Sequence, residues 1–186
     1  MNKYNAYIGI DLAAKPHRCT GFVAIASADL RVVEAVCLGS DDEIVNSVRK
    51  WGKAVVAIDA PFGFGNGFIR SIDRKMISLG FKVFPPGFSH MKTLTARAIE
   101  LVKKLKSLDV VVLETHPKSI LKSSKCNNVQ ELSEKLGIKE IEKALNGVKD
   151  IKDALLAAIA SLCYAINCSY KVEDIDGTIW LVKELC

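Results

Sequence analysis

Residues 7–11 of the chain read YIGID, a short apolar run that ends in an aspartate. The same pattern returns as VVAID at residues 55–59 and as VVVLE at residues 110–114. Apolar runs of this length are typical of strands that helices cover on both faces. If the three strands are parallel neighbours, Asp11, Asp59 and Glu114 lie at one edge of the sheet, where open α/β sheets bind ligands.

The segments around these runs complete an α/β pattern. Two strands, at residues 20–27 and 30–39, follow the first run at short spacing and predict an antiparallel meander. A further strand is expected at residues 178–182. Hydrophobic spacing and capping residues predict helices at residues 42–51, 68–79, 91–108 and 150–166. The order predicts an α/β sheet of mixed strand direction with helices on both faces.

Length and composition are those of an ordinary folded protein. The 186 residues are 49% hydrophobic with a formal net charge of +5, which predicts one domain over residues 1–186 and excludes disordered, collagen-like and disulfide-scaffold classes. Neither residues 1–15 nor the weakly polar run 154–166 supplies the roughly 20 apolar residues of a membrane span. We therefore expect a soluble cytoplasmic protein with no membrane partner.

The six cysteines form no C-x-x-C pair and lie in apolar or strand-like surroundings. This pattern favours reduced, buried thiols over a zinc site or a disulfide framework. A hyperthermophilic source, with which the lysine- and glutamate-rich charge set is compatible, would instead allow intracellular disulfides.

Two further acids, Asp150 and Asp153, stand three residues apart at the start of the alanine-rich helix, so both project from one helical face. Carboxylates that converge without bases raise one another's pKa unless a cation neutralises them. Mg²⁺ or Mn²⁺ suits such oxygen ligands, and two ions roughly 3.5–4 Å apart would stabilise an in-line phosphoryl displacement. The acids therefore predict phosphodiester hydrolysis, although a strand-end aspartate is also a common turn former.

Several basic residues near the predicted site are candidates for binding a phosphate-rich substrate. Arg70 and Arg74 stand four residues apart on one helix, with Asp73 placed to orient one of them; a solvated helix face with local salt bridges is the alternative. Lys15 lies in the loop after Asp11 and could attract phosphate, or could be an ordinary exposed lysine. His116 could donate a proton or bond the backbone before Pro117, and we favour the second.

Two loops rich in glycine and proline border the predicted site. GFGNG at residues 63–67 lacks the full G-x-G-x-x-G pattern, which favours a mobile bordering loop over a phosphate cradle. Phenylalanines around this loop and around FPPGFSH could stack nucleobases, but loop aromatics usually anchor loops to the core, the interpretation we favour. They are Phe62, Phe64, Phe68, Phe84 and Phe88.

Taken in order, five motifs resemble the DUF429 family of predicted nucleases over about residues 7–182. They are IGIDLA, VVAIDAPFG, the R-x-x-D-R of residues 70–74, LETHPKS, and D-x-x-DALLAAIAS followed by DGTIWLV. The resemblance implies a ribonuclease H-like fold whose five-stranded mixed sheet has the order 3-2-1-4-5. It also implies metal-facing acids at Asp11, Asp59, Glu114 and Asp153, with Asp150 as a helper.

Two other functions compete with a nuclease that uses Mg²⁺ or Mn²⁺ on DNA or RNA. IGIDLA followed by Thr20-Gly21 resembles the first phosphate loop of actin-like and sugar-kinase-like nucleotide binders. Those proteins need two related domains, whereas 186 residues without a repeat supply one. A non-catalytic nucleic-acid-binding module on the same fold is the second alternative. The pattern makes no prediction of oligomeric state.

Overall fold

The computed structural model describes residues 3–186, and Met1 and Asn2 lie outside the described residues. The first five strands lie in the predicted order 3-2-1-4-5: an antiparallel meander is followed by two strands parallel to the first. These strands are β1 (Ala6–Asp11), β2 (Thr20–Ala26), β3 (Val32–Leu38), β4 (Ala54–Asp59) and β5 (Val110–Thr115). The predicted mixed α/β sheet is therefore confirmed.

The expectation of a five-stranded sheet is wrong, because the sheet has seven strands in the order 3-2-1-4-5-7-6. The strand expected at 178–182 is β7 (Gly177–Val182), which runs parallel to β5. Sequence reasoning missed β6 (Ser169–Asp174), the edge strand antiparallel to β7. Only Val172 of β6 is buried, and charged residues occupy its exposed positions, as is common where a sheet edge faces water.

Within residues 3–186 seven helices connect the strands, and they include all four that the sequence predicts. They are α1 (Asp41–Arg49), α2 (Ser71–Ser78), α3 (Ser89–Lys106), α4 (Pro117–Ser124), α5 (Val129–Lys135), α6 (Glu142–Leu145) and α7 (Lys149–Ala165). Ser40 caps α1 and forms a capping box with Glu43, which fixes where that helix begins. Among residues 3–186 the structure contains no helix with the length and hydropathy required to span a bilayer.

The two faces of the sheet carry separate cores. Ile8, Ile10 and Ile58 pack against α1 and α3 on one face. On the other face, β1, β2 and β4 pack against α7, which is buried along most of its length. Because successive side chains of a strand alternate between faces, the residue after Ile10 or Ile58 points toward α7. Those residues are the strand-end aspartates.

All six cysteines are paired, so the prediction of reduced thiols is wrong. The pairs are Cys19–Cys37, Cys126–Cys186 and Cys163–Cys168. The partners in the first two pairs are 18 and 60 residues apart in sequence. No local spacing rule could connect them, because the sheet and the C-terminal strand bring them together.

Candidate active site

Asp11 and Asp59 are direct neighbours at the carboxyl edge of the sheet. β1 and β4 run parallel with Ile10 opposite Ile58 and Asp11 opposite Asp59. The apolar residues before each aspartate hold the two strands in the core and leave the first polar residue at the edge. Such an edge is where open α/β sheets place ligands, and the predicted convergence of these two acids is present in the structure.

Two glycines let α7 approach this edge closely. A Cβ at Gly21, which lies opposite Asp11 on β2, would collide with the carbonyl of Asp150. A Cβ at Gly9 would collide with the α7 backbone at Ala154. Both positions therefore need glycine for steric reasons. The close contact brings the first turn of α7, with its acids, beside Asp11.

The carboxylates line one cleft of about 380 Å³. Four of its acids come from the two neighbouring strand ends and from one face of α7. They are Asp11, Asp59, Asp150 and Asp153. The cleft also reaches Glu114, so all five acids predicted from the sequence lie along its walls.

Burial and mutual repulsion disfavour the ionised forms of the two strand-end aspartates. Desolvation, followed by the nearby charges of Asp153 and Asp150, raises the pKa of Asp11 to about 7. The pKa of Asp59 is raised well above its ordinary value, again by desolvation first and by Asp11 second. Within residues 3–186 neither carboxylate accepts a hydrogen bond. The pair therefore has unused oxygen acceptors and unfavourable negative charge.

This donor set is chemically suited to a hard divalent cation, because Mg²⁺ and Mn²⁺ prefer carboxylate oxygens. Within residues 3–186, no three acids of the cleft place ligand atoms within 4.8 Å of one another. Across residues 3–186, the one trio that meets this distance is Cys126, Glu131 and Cys186. Its two sulfur atoms are bonded to each other, so it offers no thiolate.

A lysine partly balances the cluster. The Lys149 ammonium lies 3.0 Å from a carboxylate oxygen of Asp153, one turn further along α7. This contact raises the pKa of Lys149, and the lysine charge in turn opposes the rise in pKa at Asp11. The Lys149 side chain is 74% exposed, so it can leave without unpacking the core. Sequence reasoning missed this residue, although its i, i+4 spacing to Asp153 was a readable signal.

Glu114 stands in a different environment from the one predicted. It lies opposite Ile58 rather than Asp59, so its side chain leaves the sheet on the other face. There Arg70 donates to both Glu114 carboxylate oxygens, over 3.0 and 2.7 Å, and the Phe62 N–H donates over 2.8 Å. Burial raises the pKa of Glu114, and these donors act against that rise. We therefore do not assign Glu114 to the metal site, because its oxygens already have partners.

Arg70 also differs from its prediction as a phosphate-binding residue. It is 2% exposed, and its guanidinium joins Glu114 to Asp73, with a contact of 2.7 Å to each carboxylate. Arg70 lines the cleft, but four of its five N–H groups donate to the two carboxylates, which leaves at most one for a substrate. The prediction that Asp73 orients an arginine fits this geometry. Arg70 precedes α2, whose first N–H groups donate to Asp176.

The other predicted substrate-binding residues divide into two groups. Arg74 and Lys15 are exposed, and the structure places neither along the cleft. His116 does line the cleft, and its Nδ1 lies 2.7 Å from the Ser119 hydroxyl. Burial first, and then the charge of Lys118, lower the pKa of His116 to about 4. At neutral pH it is therefore an uncharged hydrogen-bonding group rather than a proton donor.

The cleft contains two cations that sequence reasoning did not assign to it, together with Phe84, whose loop it expected to border the site. Lys82 and Lys118 are exposed along its walls, and Phe84 lies at its border. Lys82 lies in the loop before α3, whereas Lys118 lies in the first turn of α4, far away in sequence. Lys118 belongs to the LETHPKS motif, but sequence reasoning gave it no role, and no motif surrounds Lys82.

Comparisons with known proteins support the fold. No family model matches the chain, so its resemblance to the DUF429 family stays a prediction, and a comparison with curated proteins finds no match. Among solved structures, the chain is similar to T. thermophilus RuvC in complex with Holliday junction substrate, with a TM-score of 0.53 and 16% identity over 86% of this chain and 94% of that chain. A second Thermus thermophilus RuvC structure has a TM-score of 0.49 at 13% identity, over 86% of this chain and 95% of that one. At this identity the first likeness shows the fold alone, and that fold is RuvC-like, of the ribonuclease H-like type.

Proposed function

We propose that this chain is a single-domain, ribonuclease H-like nuclease that hydrolyses phosphodiester bonds of DNA or RNA with Mg²⁺ or Mn²⁺. The convergence of Asp11, Asp59, Asp150 and Asp153 in one cleft carries the proposal. Three chain segments and two close-approach glycines contribute to this arrangement of like charges. Converging like charges disfavour one another's ionised forms, and a bound cation would compensate for this repulsion.

The choice of nucleic acid as substrate rests on the fold and on charge. The chain is similar to a structure of T. thermophilus RuvC in complex with Holliday junction substrate. The chain keeps a net charge of +5 although several of its acids are gathered in the cleft. The remaining surface is accordingly more basic than the total indicates, which favours a phosphate-rich partner.

The proposed roles follow from where each side chain lies. Asp11, Asp59, Asp150 and Asp153 would hold the divalent ions through their carboxylate oxygens. When bound, such ions lower the pKa of water and stabilise negative charge on a phosphate undergoing displacement. Lys149 supplies positive charge at the cluster and can be displaced from Asp153 because it is largely exposed.

A second set of residues supports the cleft. Glu114, Arg70 and Asp73 form a buried ion-pair network that fixes the start of α2 against the end of β5. Lys82 and Lys118 present exposed ammonium groups to an approaching phosphate backbone. His116, which is uncharged at neutral pH, can exchange hydrogen bonds with substrate without adding charge.

The test is cleavage of labelled single-stranded, duplex, hybrid and branched DNA and RNA with Mg²⁺, Mn²⁺ or EDTA. We expect cleavage with a divalent ion, none with EDTA, and none from Asp11→Asn in any ion. The matched control is Asp109→Asn, an aspartate with 75% side-chain exposure at the opposite end of β5, which should cleave normally. Cleavage that persists in EDTA or in Asp11→Asn would contradict the proposal.

Binding measurements separate the nuclease from the two alternative functions. Nucleic-acid binding without divalent-ion binding by calorimetry would instead favour the non-catalytic module. Saturable ATP binding would favour the nucleotide-binding alternative.

A further inference from the structure

Several phenylalanines beside the cleft are exposed rather than buried. Phe68, Phe84 and Phe88 are 57%, 61% and 40% exposed, whereas Phe81 is buried and Phe62 packs against the core. Phe64 is also exposed, at 38%. The sequence expectation that these loop aromatics anchor their loops therefore fits Phe62 but not the four exposed phenylalanines. Large apolar groups held together in water are unfavourable in a monomer, and such patches commonly mark binding surfaces.

The exposed rings contact one another and form what we call the aromatic platform, consisting of Phe68, Phe84, Phe88 and His90. The rings of Phe68 and Phe88 meet edge to face at 4.9 Å, and those of Phe88 and His90 stack at 5.9 Å. Phe84 meets His90 edge to face at 6.2 Å. The Gly87 N–H donates to the Phe68 carbonyl, which joins the two loops. The rings are therefore held as one surface.

The platform continues into the acid-lined cleft and is surrounded by positive charge. Phe84 itself lines the cleft, beside Lys82, and Lys118 lies along the same walls. Lys92 follows the platform on the first turn of α3. All three lysines are exposed, and in the part of the chain from residue 3 to residue 186 none of them forms an ion pair. Apolar rings with free cations suit a ligand that is both aromatic and anionic.

We propose that the aromatic platform stacks against unpaired nucleobases of the strand whose phosphate enters the cleft. This inference rests on the proposed nuclease function and narrows its substrate to nucleic acid with unpaired nucleotides beside the cleavage point. Aromatic side chains stack on any base, and lysines follow the phosphate backbone. Bases inside a duplex are already stacked on one another, so the platform binds them only where pairing is interrupted. An apolar protein partner would leave the surrounding lysines without acceptors, which is why we favour nucleic acid.

The platform is tested by binding, separately from catalysis. Fluorescence anisotropy would measure the affinity for labelled oligodeoxythymidine, oligouridine and a mixed-sequence duplex, in EDTA and at one fixed salt concentration. The variants are Phe84→Ala, Phe84→Leu and Phe84→Trp. Ile166→Ala is the matched control, because Ile166 is 51% exposed and follows the far end of α7, away from the cleft.

We expect Phe84→Ala to weaken single-strand binding about 5- to 150-fold, the range for losing one stacked base. Phe84→Leu keeps an apolar side chain but should also lose affinity, whereas Phe84→Trp should retain it. Duplex binding should change little, and Ile166→Ala should bind like the unaltered protein. A strand carrying 2-aminopurine should lose fluorescence on binding, because stacking against an aromatic ring quenches this base.

Three results would overturn the inference. They are single-strand affinity that is unchanged in Phe84→Ala, an equal loss for single strands and duplex, or no binding of any nucleic acid. The last would point to a protein partner for the platform. Failure of the platform and failure of the nuclease proposal are distinguishable. If cleavage depends on a divalent metal and is lost in Asp11→Asn, but the affinity for single strands does not depend on Phe84, only the inference about the platform fails. If the affinity for single strands depends on Phe84 but no nucleic acid is cleaved, only the proposed nuclease function fails.

Discussion

Replacing Asp11 with asparagine should stabilise the metal-free protein while removing its response to metal. Asp11 is surrounded by Asp59, Asp150 and Asp153, and together with desolvation these acids disfavour its charge. Asparagine has nearly the same shape but no charge, so the repulsion disappears. A side chain kept for stability alone would show the opposite behaviour, because its loss would destabilise the protein.

The size of this stabilisation and its dependence on pH follow from the pKa of Asp11. Its value rises from an ordinary 3.8 to about 7 in the folded protein, so folding becomes less favourable as pH rises between these values. At 1.36 kcal/mol per pKa unit, the full penalty above pH 7 is about 4 kcal/mol. The asparagine amide costs about 1–3 kcal/mol of its own in the same cleft. We therefore expect a net gain of about 1–3 kcal/mol at pH 8 that disappears near pH 5.

Urea denaturation followed by tryptophan fluorescence at pH 5 and pH 8, with EDTA or with Mn²⁺, measures these changes. In EDTA at pH 8 the asparagine variant should unfold at a higher urea concentration than the unaltered protein. Mn²⁺ at about 100 times its dissociation constant should add about 2.7 kcal/mol to the unaltered protein and nothing to the variant. Asp109→Asn, whose carboxylate is 75% exposed, should change neither result. A variant that is less stable at pH 8, or that still responds to Mn²⁺, would refute this reasoning.

Three further substitutions test the groups around the cluster. Arg70→Met should lower the free energy of unfolding by about 3–5 kcal/mol because it leaves buried carboxylates unpaired. In a double-mutant cycle measured by urea denaturation, adding Glu114→Gln should recover part of that loss. Additive losses would argue against the pairing. Gly21→Ala should lower the free energy of unfolding by about 1–3 kcal/mol, because the added methyl group pushes the first turn of α7 away from β2. The melting temperature should fall and the response to Mn²⁺ should weaken. An unchanged melting temperature would contradict the close approach of α7 to β2. Lys149→Gln should tighten Mn²⁺ binding about 2- to 5-fold in calorimetry, the size expected of an exposed ion pair. Lys152→Gln on the same helix should leave Mn²⁺ binding unchanged. If both substitutions tightened Mn²⁺ binding equally, the net charge of the protein alone would explain the effect.

The parts of the fold that the sequence predicts are those whose signals are local. Each apolar run carries its own evidence for a buried strand, and the short spacing between the first three strands indicates an antiparallel meander. The edge strand β6 was missed because Val172 is its one buried residue. The disulfide between Cys126 and Cys186 was missed because those residues meet through the tertiary fold, 60 positions apart. Signals that arise from packing between distant segments are not present in either segment alone.

Glu114 shows how a correct strand prediction can still misplace a side chain. VVAID and VVVLE appear equivalent, yet the register places Thr115, not Glu114, opposite Asp59. A strand alternates its faces at every residue, so this difference of one position moves Glu114 away from the α7 side. The Thr115 hydroxyl, at the equivalent position, donates to the Trp180 carbonyl over 2.7 Å.

The functional difference between the two acids then depends on which positive charge each one faces. Glu114 meets the Arg70 guanidinium, a cation belonging to the chain itself, and becomes part of a buried network. Asp59 has no such partner within residues 3–186 and shares the cleft with other acids. A buried acid that pairs with a cation of the chain itself has a structural role, whereas an acid without such a partner is stabilised by a cation from solution. For this reason the metal ligands that we propose are the acids on the α7 side. The ion pair there, between Lys149 and Asp153, involves a lysine that is 74% exposed and can be displaced. Glu114, despite its strand-end position, is not among the proposed ligands.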